Sequence, residues 1–220
     1  MSPLVIAIDG PSGAGKGTVA RAVAARLGYR HVDSGAMYRA VGWKALRDGV
    51  MLDDEAAVAG VASRASLEIE PDRVTIDGLD ITREIRTPEI DRAAASVARL
   101  PRVREVLVAR QRELGRQGSG LVMEGRDIGT VVFPHADVKI YLDAAPEERA
   151  RRRANDPAHS GGSAVVAEVV TALAARDELD RTRKTSPLVR AADAMVIDTT
   201  DKTVSQVVAE VLQAVDSRTR

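Results

Sequence analysis

Residues 10–18 read GPSGAGKGT. Gly10, Gly15 and Lys16 keep the register of the phosphate-loop pattern G-x-x-x-x-G-K-[ST], in which N–H groups of the loop and of the following helix start face phosphate oxygens. The helix dipole adds to that attraction, and the lysine supplies a point charge. Gly10, Pro11, Ser12, Gly13, Ala14, Gly15, Lys16, Gly17 and Thr18 are therefore candidate phosphate-binding residues. The last position of the pattern is irregular, because Gly17 stands where a hydroxyl is expected and Thr18 comes one residue late. Magnesium would then be held mainly by phosphates and water, with Thr18 as the nearest side-chain helper.

Arginines recur at other points where a phosphate could be met. In DSGAMYR (33–39), Asp33 or Ser34 can cap a helix, and Tyr38 and Arg39 follow one turn later. In EGRDIG (124–129), Arg126 and Asp127 sit between Gly125 and Gly129, either as a ligand site or as a local ion pair. In RDELDRTR (176–183), Arg176, Asp180 and Arg183 fall at i, i+4 and i+7 on one helical face. The run ERARRRAND (148–156) offers Glu147 with Arg151 and Glu148 with Arg152 as further i, i+4 pairs, so some of its arginines are structural. Phosphoryl transfer needs two anions brought in line and positive charge over the moving oxygens, which arginines of this kind supply.

Such residues need a frame. LVIAI (4–8), HVD (31–33), LVM (121–123), VKIYL (138–142) and MVI (195–197) read as strands separated by helical patterns. The helix after Lys16 presents Val19, Val23 and Leu27 to a core. Val165, Val166, Val169, Val170 and Leu173 make a later stripe, and Val204, Val207, Val208, Val211, Leu212 and Val215 a last one. Strands alternating with helices call for a parallel sheet covered on both faces, with ligands beyond the carboxyl ends of its strands. SLEIEPDRVTIDGLDI (66–81) breaks the alternation: its PD and DG turns predict a small antiparallel insert between a helix ending near Gly60 and one starting near Thr87. NDPAHSGGS (155–163) lies between two helices and suits either a lid or a plain exposed loop.

Composition narrows the partners. At 220 residues the chain fits one domain, which can bury roughly 70% of its unfolded surface. Aromatics make up 2%, so stacking of several bases is not expected, and thirty-two basic residues cancel thirty-two acidic ones, so no overall field draws in nucleic acid or a membrane. Cysteine is absent, which excludes disulfides, thiolate zinc sites and a cysteine nucleophile. No apolar segment approaches the roughly 18 residues of a membrane span, and the N-terminus carries no targeting pattern, so a cytoplasmic protein is expected. His31, His135 and His159 are not at metal-ligand spacing and read as loop or surface residues. A GTP-dependent switch is disfavoured, since the one Asn, Asn155, cannot form N-K-x-D and no Asp begins D-x-x-G.

The G-K-G-T form of the loop resembles the nucleoside monophosphate kinases. Joined in order, IAIDGPSGAGKGT (6–18), DSGAMYR, REIRTPEI (83–90), PRVRE (101–105), GRDIGTVVFP (125–134), KIYLDA (139–144) and RDELDRTR resemble the cytidylate kinase family over residues 4–215. That resemblance implies a single α/β domain over 1–220, a P-loop three-layer fold with a five-stranded parallel core sheet. It also implies a CMP-binding insert at 64–90 and a short lid at 154–164. The implied reaction is transfer from ATP, with Mg2+, to CMP or dCMP by a monomer. Lys16, Arg126 and Arg183 match positions with catalytic, electrostatic roles. Arg39, Arg126 and Arg183 match positions that hold the acceptor phosphate; Ser96, Arg104 and Asp127 match those around cytosine; Arg176 and Asp180 match the sugar contacts; Ser34 and Tyr38 match the acceptor-site lining. Arg151 and Arg153 are expected to reach the ATP phosphates from the lid's edge. The lid sequence departs from the family pattern, which leaves donor contacts open, and Glu124 is assigned no chemistry. A kinase of small metabolites is the alternative, but it would not need Ser96, Arg104 and Asp127.

Overall fold

A computed structural model describes residues 3–156 and 166–218. In chain order the elements begin with β1 (Val5–Asp9), α1 (Lys16–Leu27), β2 (Arg30–Asp33), α2 (Ser34–Arg47) and α3 (Glu55–Arg64). The short strands β3 (Leu67–Ile69), β4 (Val74–Ile76) and β5 (Leu79–Asp80) come next, then α4 (Pro88–Val97), α5 (Pro101–Arg116) and β6 (Leu121–Gly125). A single π-type turn over Ile128–Val132 leads to β7 (Val138–Asp143), α6 (Pro146–Ala154), α7 (Val166–Thr182), β8 (Met195–Asp198) and α8 (Val204–Arg218).

Five strands pair in parallel in the order β2-β6-β1-β7-β8. Two of the three inner strands, VIAID and LVMEG, are apolar on both faces because both faces are covered, as parallel sheets require. Side chains alternate across the sheet. Ala7, Val32 and Met123 enter a core with α2, α3, α4 and α5, whereas Ile6, Ile8, Val122 and Ile140 enter a second core with α1 and α8. The result is three layers, with the expected strands all present.

Register fixes where the site lies. Asp9 aligns with Gly125 on one side and Tyr141 on the other, and Asp33 aligns with Glu124, so the carboxyl ends of four strands open at one edge. The insert is a three-stranded antiparallel sheet within 64–90, and Asp77 and Gly78, both with positive φ, make the tight turn that the DG pair predicts. Thr87 accepts a hydrogen bond from the Ile90 N–H at 3.3 Å and starts α4, with Pro88 in its first turn.

Two expectations are corrected. α3 continues past Gly60 to Arg64, and Val204, placed in the last apolar stripe, is 47% exposed at the start of α8. The stripe begins to bury side chains at Val207 and Val208, one turn into the helix. Of the lid expected at 154–164, Ala154–Asp156 close α6, while 157–164 lie outside the described residues, as does Val165.

Candidate active site

The loop between β1 and α1 is held in place by close backbone approach. A Cβ on Gly10, which has φ +149°, would lie 2.0 Å from the Leu142 carbonyl oxygen of β7, so only glycine fits there. The loop's next layer comes from two helices. Arg149 of α6 donates to the Ser12 carbonyl at 3.1 Å and pairs with Asp177 of α7, whose other oxygen accepts from the Ser12 N–H at 3.3 Å. Arg152 donates to Thr199 Oγ1 at 2.9 Å, and that hydroxyl donates to the Ala14 carbonyl at 3.2 Å. Neither Arg149 nor Asp177 was singled out in the sequence.

A cavity of about 1130 Å³ opens at the strand ends, lined along one side by Ser12 to Thr18. Gly10 and Pro11 stand behind this lining. Lys16 is buried, and its Nζ donates to the Pro11 carbonyl at 2.7 Å. Burial, reinforced by Arg126, pulls its pKa from 10.5 down to about 7, against the opposing pull of Glu124, Asp9 and Asp33. Thr18 lines the cavity with an exposed side chain.

Asp33 is the cap of α2, accepting from the Ala36 N–H at 3.1 Å, while the Ser34 hydroxyl donates to the Glu124 carbonyl at 2.6 Å and ties α2 to β6. This start places Tyr38 and Arg39 toward the cavity one turn later. Burial pushes the Tyr38 phenol up to about 12, which keeps it a neutral hydroxyl, and its oxygen is buried without a hydrogen bond of ordinary geometry. Arg39 donates to Asp33 at 3.2 Å and to Asp91 of α4 at 3.1 Å.

After β6 the chain turns under Asp9, whose two oxygens accept from the N–H groups of Ile128 at 2.8 Å and Gly129 at 2.7 Å. Burial pushes this carboxyl up to about 6 despite those bonds. The turn sends Arg126 and Asp127 to different partners, so they do not form the local pair. Arg126 donates to Asp180 at 2.9 Å, and Arg176 reaches the same oxygen at 3.4 Å. Burial alone would raise Asp180, but Arg126 and Arg176 outweigh it and hold its pKa below 3.8. Asp127 is buried between Arg104 of α5 and Arg183, the latter at 3.3 Å, and the Arg104 guanidinium lies over the Tyr38 ring at 5.6 Å from its centre. Burial lowers the pKa of Arg183.

The cavity thus brings together Ser34, Tyr38, Arg39, Arg126, Asp127, Arg176, Asp180 and Arg183 with the phosphate loop. Arg104 stands one layer back and reaches it through Asp127. Ser96 is not brought in: its side chain is exposed on α4 and its hydroxyl donates to the Arg92 carbonyl at 3.3 Å. Among the basic residues of α6, Arg151 is 63% exposed and pairs with Glu148 rather than Glu147, and Arg153 pairs with Asp91 on the acceptor side. Arg149 and Arg152 are the ones that brace the loop, and Arg151 and Arg153 line the cavity. Glu124 and His31 are both buried at the loop's edge and meet at 3.2 Å, and the burial of His31 departs from expectation. His31 was read as a loop or surface residue; its place on β2, paired with the covered strand β6, is what buries it.

A family model described as cytidylate kinase matches residues 6–217. The chain is 49% identical over 212 residues to the cytidylate kinase of Desulfitobacterium hafniense, covering 95% of this chain and 91% of that one. It is 42% identical to that of Clostridioides difficile, covering 98% and 100%. Among solved structures, a gluconokinase from Sinorhizobium meliloti superposes with a TM-score of 0.52 at 14% identity over 98% of this chain and 93% of that one, a likeness of fold alone. The chain belongs to the cytidylate kinase family.

Proposed function

We propose that this protein transfers the terminal phosphoryl group of ATP to CMP or dCMP, giving ADP and CDP or dCDP. The observation that carries this reading is one cavity with a phosphate loop along one side and, facing it, an arginine cluster that ends in the buried Asp127. ATP phosphates fit the loop N–H groups and Lys16; the acceptor phosphate fits Arg39, Arg126 and Arg183. No strong general base is needed, because the acceptor phosphate is already an anion near neutral pH. Lys16, Arg126 and Arg183 act by offsetting charge as the phosphoryl group moves. Asp127, fixed by Arg104 and Arg183, accepts from the exocyclic amine of cytosine, while Arg176 and Asp180 take the sugar. The same reading makes the enzyme a cytoplasmic monomer; no helix among the described residues is long and apolar enough to cross a membrane.

The residues at the loop fit Mg2+. No group of three or more His, Cys, Asp or Glu side chains suited to a metal occurs among the described residues. Thr18 lines the cavity, and the Glu124 carboxylate stands beside Gly17, where a Cβ would be 3.1 Å from Oε1. Thr18 and Glu124 are the side chains that would hold the ion or its waters. When bound, it supplies positive charge over the phosphate oxygens.

Turnover with ATP and magnesium, offering CMP, dCMP, UMP and AMP separately, tests the proposal. CMP and dCMP are expected to be good acceptors. UMP presents an oxygen where cytosine has its amine, so it faces Asp127 with a buried repulsion and should fall at least about 100-fold in kcat/KM. Equal turnover of CMP and UMP would overturn the role of Asp127, and activity on none of the four would overturn the reaction.

A further inference from the structure

Gly17 and Glu124 explain one another. In the phosphate-loop pattern position 17 carries a hydroxyl, yet here a Cβ on that residue would lie 3.1 Å from Glu124 Oε1 and 3.6 Å from Oε2. A serine or threonine would crowd the carboxylate, so the glycine leaves room for an acidic side chain from β6 to stand over the loop. That carboxylate is buried, reaches toward Lys16 strongly enough to oppose the loss of its proton, and lines the cavity. It does not hold this position alone. His31 of the neighbouring strand β2, whose register partner is Val122, reaches Glu124 diagonally, with Nε2 at 3.2 Å from Oε1 and side-chain exposures of 5% and 9% for histidine and glutamate. A carboxylate oxygen can only accept, so Nε2 carries the hydrogen and donates it.

Resting on the phosphoryl-transfer reading above, we infer that His31 is a positioning residue: its Nε2–H aims the Glu124 carboxylate over Gly17, where it takes over the place of the hydroxyl that the loop lacks. Glutamate needs such a partner because its side chain has one more rotatable bond than aspartate and, among the described residues, no other side chain bonds its carboxylate. Histidine supplies a short, stiff donor from a buried strand, as partners of metal-binding side chains do. The other groups around the carboxylate are accounted for: Ser34 is committed to the Glu124 main-chain carbonyl, and Lys16 to the Pro11 carbonyl. The inference concerns magnesium-bound nucleotide specifically, since Glu124 offers nothing to bare phosphates except repulsion.

Three variants separate this role from a structural one. His31→Phe keeps a flat ring and removes the donor; His31→Asn stays polar but ends short of Glu124; His31→Gln places an amide N–H near the position of Nε2. Each is measured for kcat and KM over a magnesium series with ATP and CMP, and by calorimetric binding of ADP with magnesium in excess or with EDTA. In the Phe and Asn variants the magnesium needed for half-maximal rate is expected to rise about tenfold or more, with the KM for CMP unchanged. ADP affinity in EDTA should match the unaltered protein, while the gain on adding magnesium is lost, and His31→Gln should recover most of it. The Asn variant decides the matter should the Phe variant fail to fold. Unaltered magnesium dependence in either, an equal loss of ADP affinity with and without magnesium, or a Gln variant as impaired as Asn would overturn the role. Turnover of the unaltered protein with CMP tests the reaction itself, and the ADP titrations stand whichever acceptor it uses.

Discussion

Lys16 is buried beside Arg126, and its pKa of about 7 means that the ligand-free protein withholds much of a proton that the unfolded chain would keep up to 10.5. Nucleotide phosphates reverse the balance, because negative charge against Nζ favours the ammonium form and burial no longer removes it from all counter-charge. At pH 8, between the two values, ADP binding should therefore take up close to one proton from the buffer. Calorimetry in two buffers of different ionisation enthalpy reads that uptake directly. Lys16→Met should abolish it and lower turnover by about 100-fold or more while the fold survives. Unchanged proton uptake in this variant would assign the linkage to another group.

At the scale of elements, α6 and α7 act as a clamp behind the phosphate loop. Arg149 and Asp177 are both buried, and each also bonds the backbone of Ser12, so the pair orients the loop as well as neutralising itself. Removing one partner strands the other charge: Asp177→Asn should destabilise the protein by about 3 kcal/mol, with the double variant Arg149→Met, Asp177→Leu recovering at least half. Urea unfolding followed by circular dichroism decides this, and a loss below about 1 kcal/mol for Asp177→Asn would show that the pair is not needed as a clamp. The clamp also shows what the sequence conceals. Strands such as VIAID and LVMEG are legible as apolar runs, the DG turn as a hairpin, and GPSGAGKGT as a loop with a helix start, because each signal is local. Arg149 and Asp177 are 28 residues apart, and His31 and Glu124 are 93 apart. Such pairs exist only once helices and strands have packed, and neither residue type announces its partner. Ser96 fails in the opposite direction, since a family position fixes a residue's place along α4 but not which way its side chain turns, and here it bonds its own helix.

Over the whole molecule, charge cancels at thirty-two of each sign, yet the fold does not distribute it evenly. Among the described residues, the lining of the cavity carries ten arginines and two lysines against nine carboxylates, drawn from α1, α2, the insert, the ends of β2 and β6, α6, α7 and the loop before α8. α2 and the insert pack into one core and α1 and α8 into the other, on opposite faces of the sheet, and these elements meet at its carboxyl edge, so folding itself gathers the cations. Burial first, and neighbouring arginines after it, lower the pKa values of Arg153 and Arg176, against the opposing pull of Asp91 and Asp180. A dianionic acceptor should therefore be captured by a local field in a protein with no net one. Local fields between accessible groups are screened once the Debye length falls from about 10 Å at 0.1 M salt toward about 3 Å at 1 M. Raising sodium chloride from about 0.05 to about 0.5 M should increase the KM for CMP at least fivefold, because a handful of cation contacts weaken together. kcat should change by less than about twofold, since the bound phosphates exclude the salt from the same contacts. Steady-state kinetics across that series, at saturating ATP and magnesium, measures both numbers. A KM that stays flat would mean that the carboxylates of the cavity already cancel its arginines, and that capture of CMP rests on cytosine and sugar contacts instead of on the phosphate.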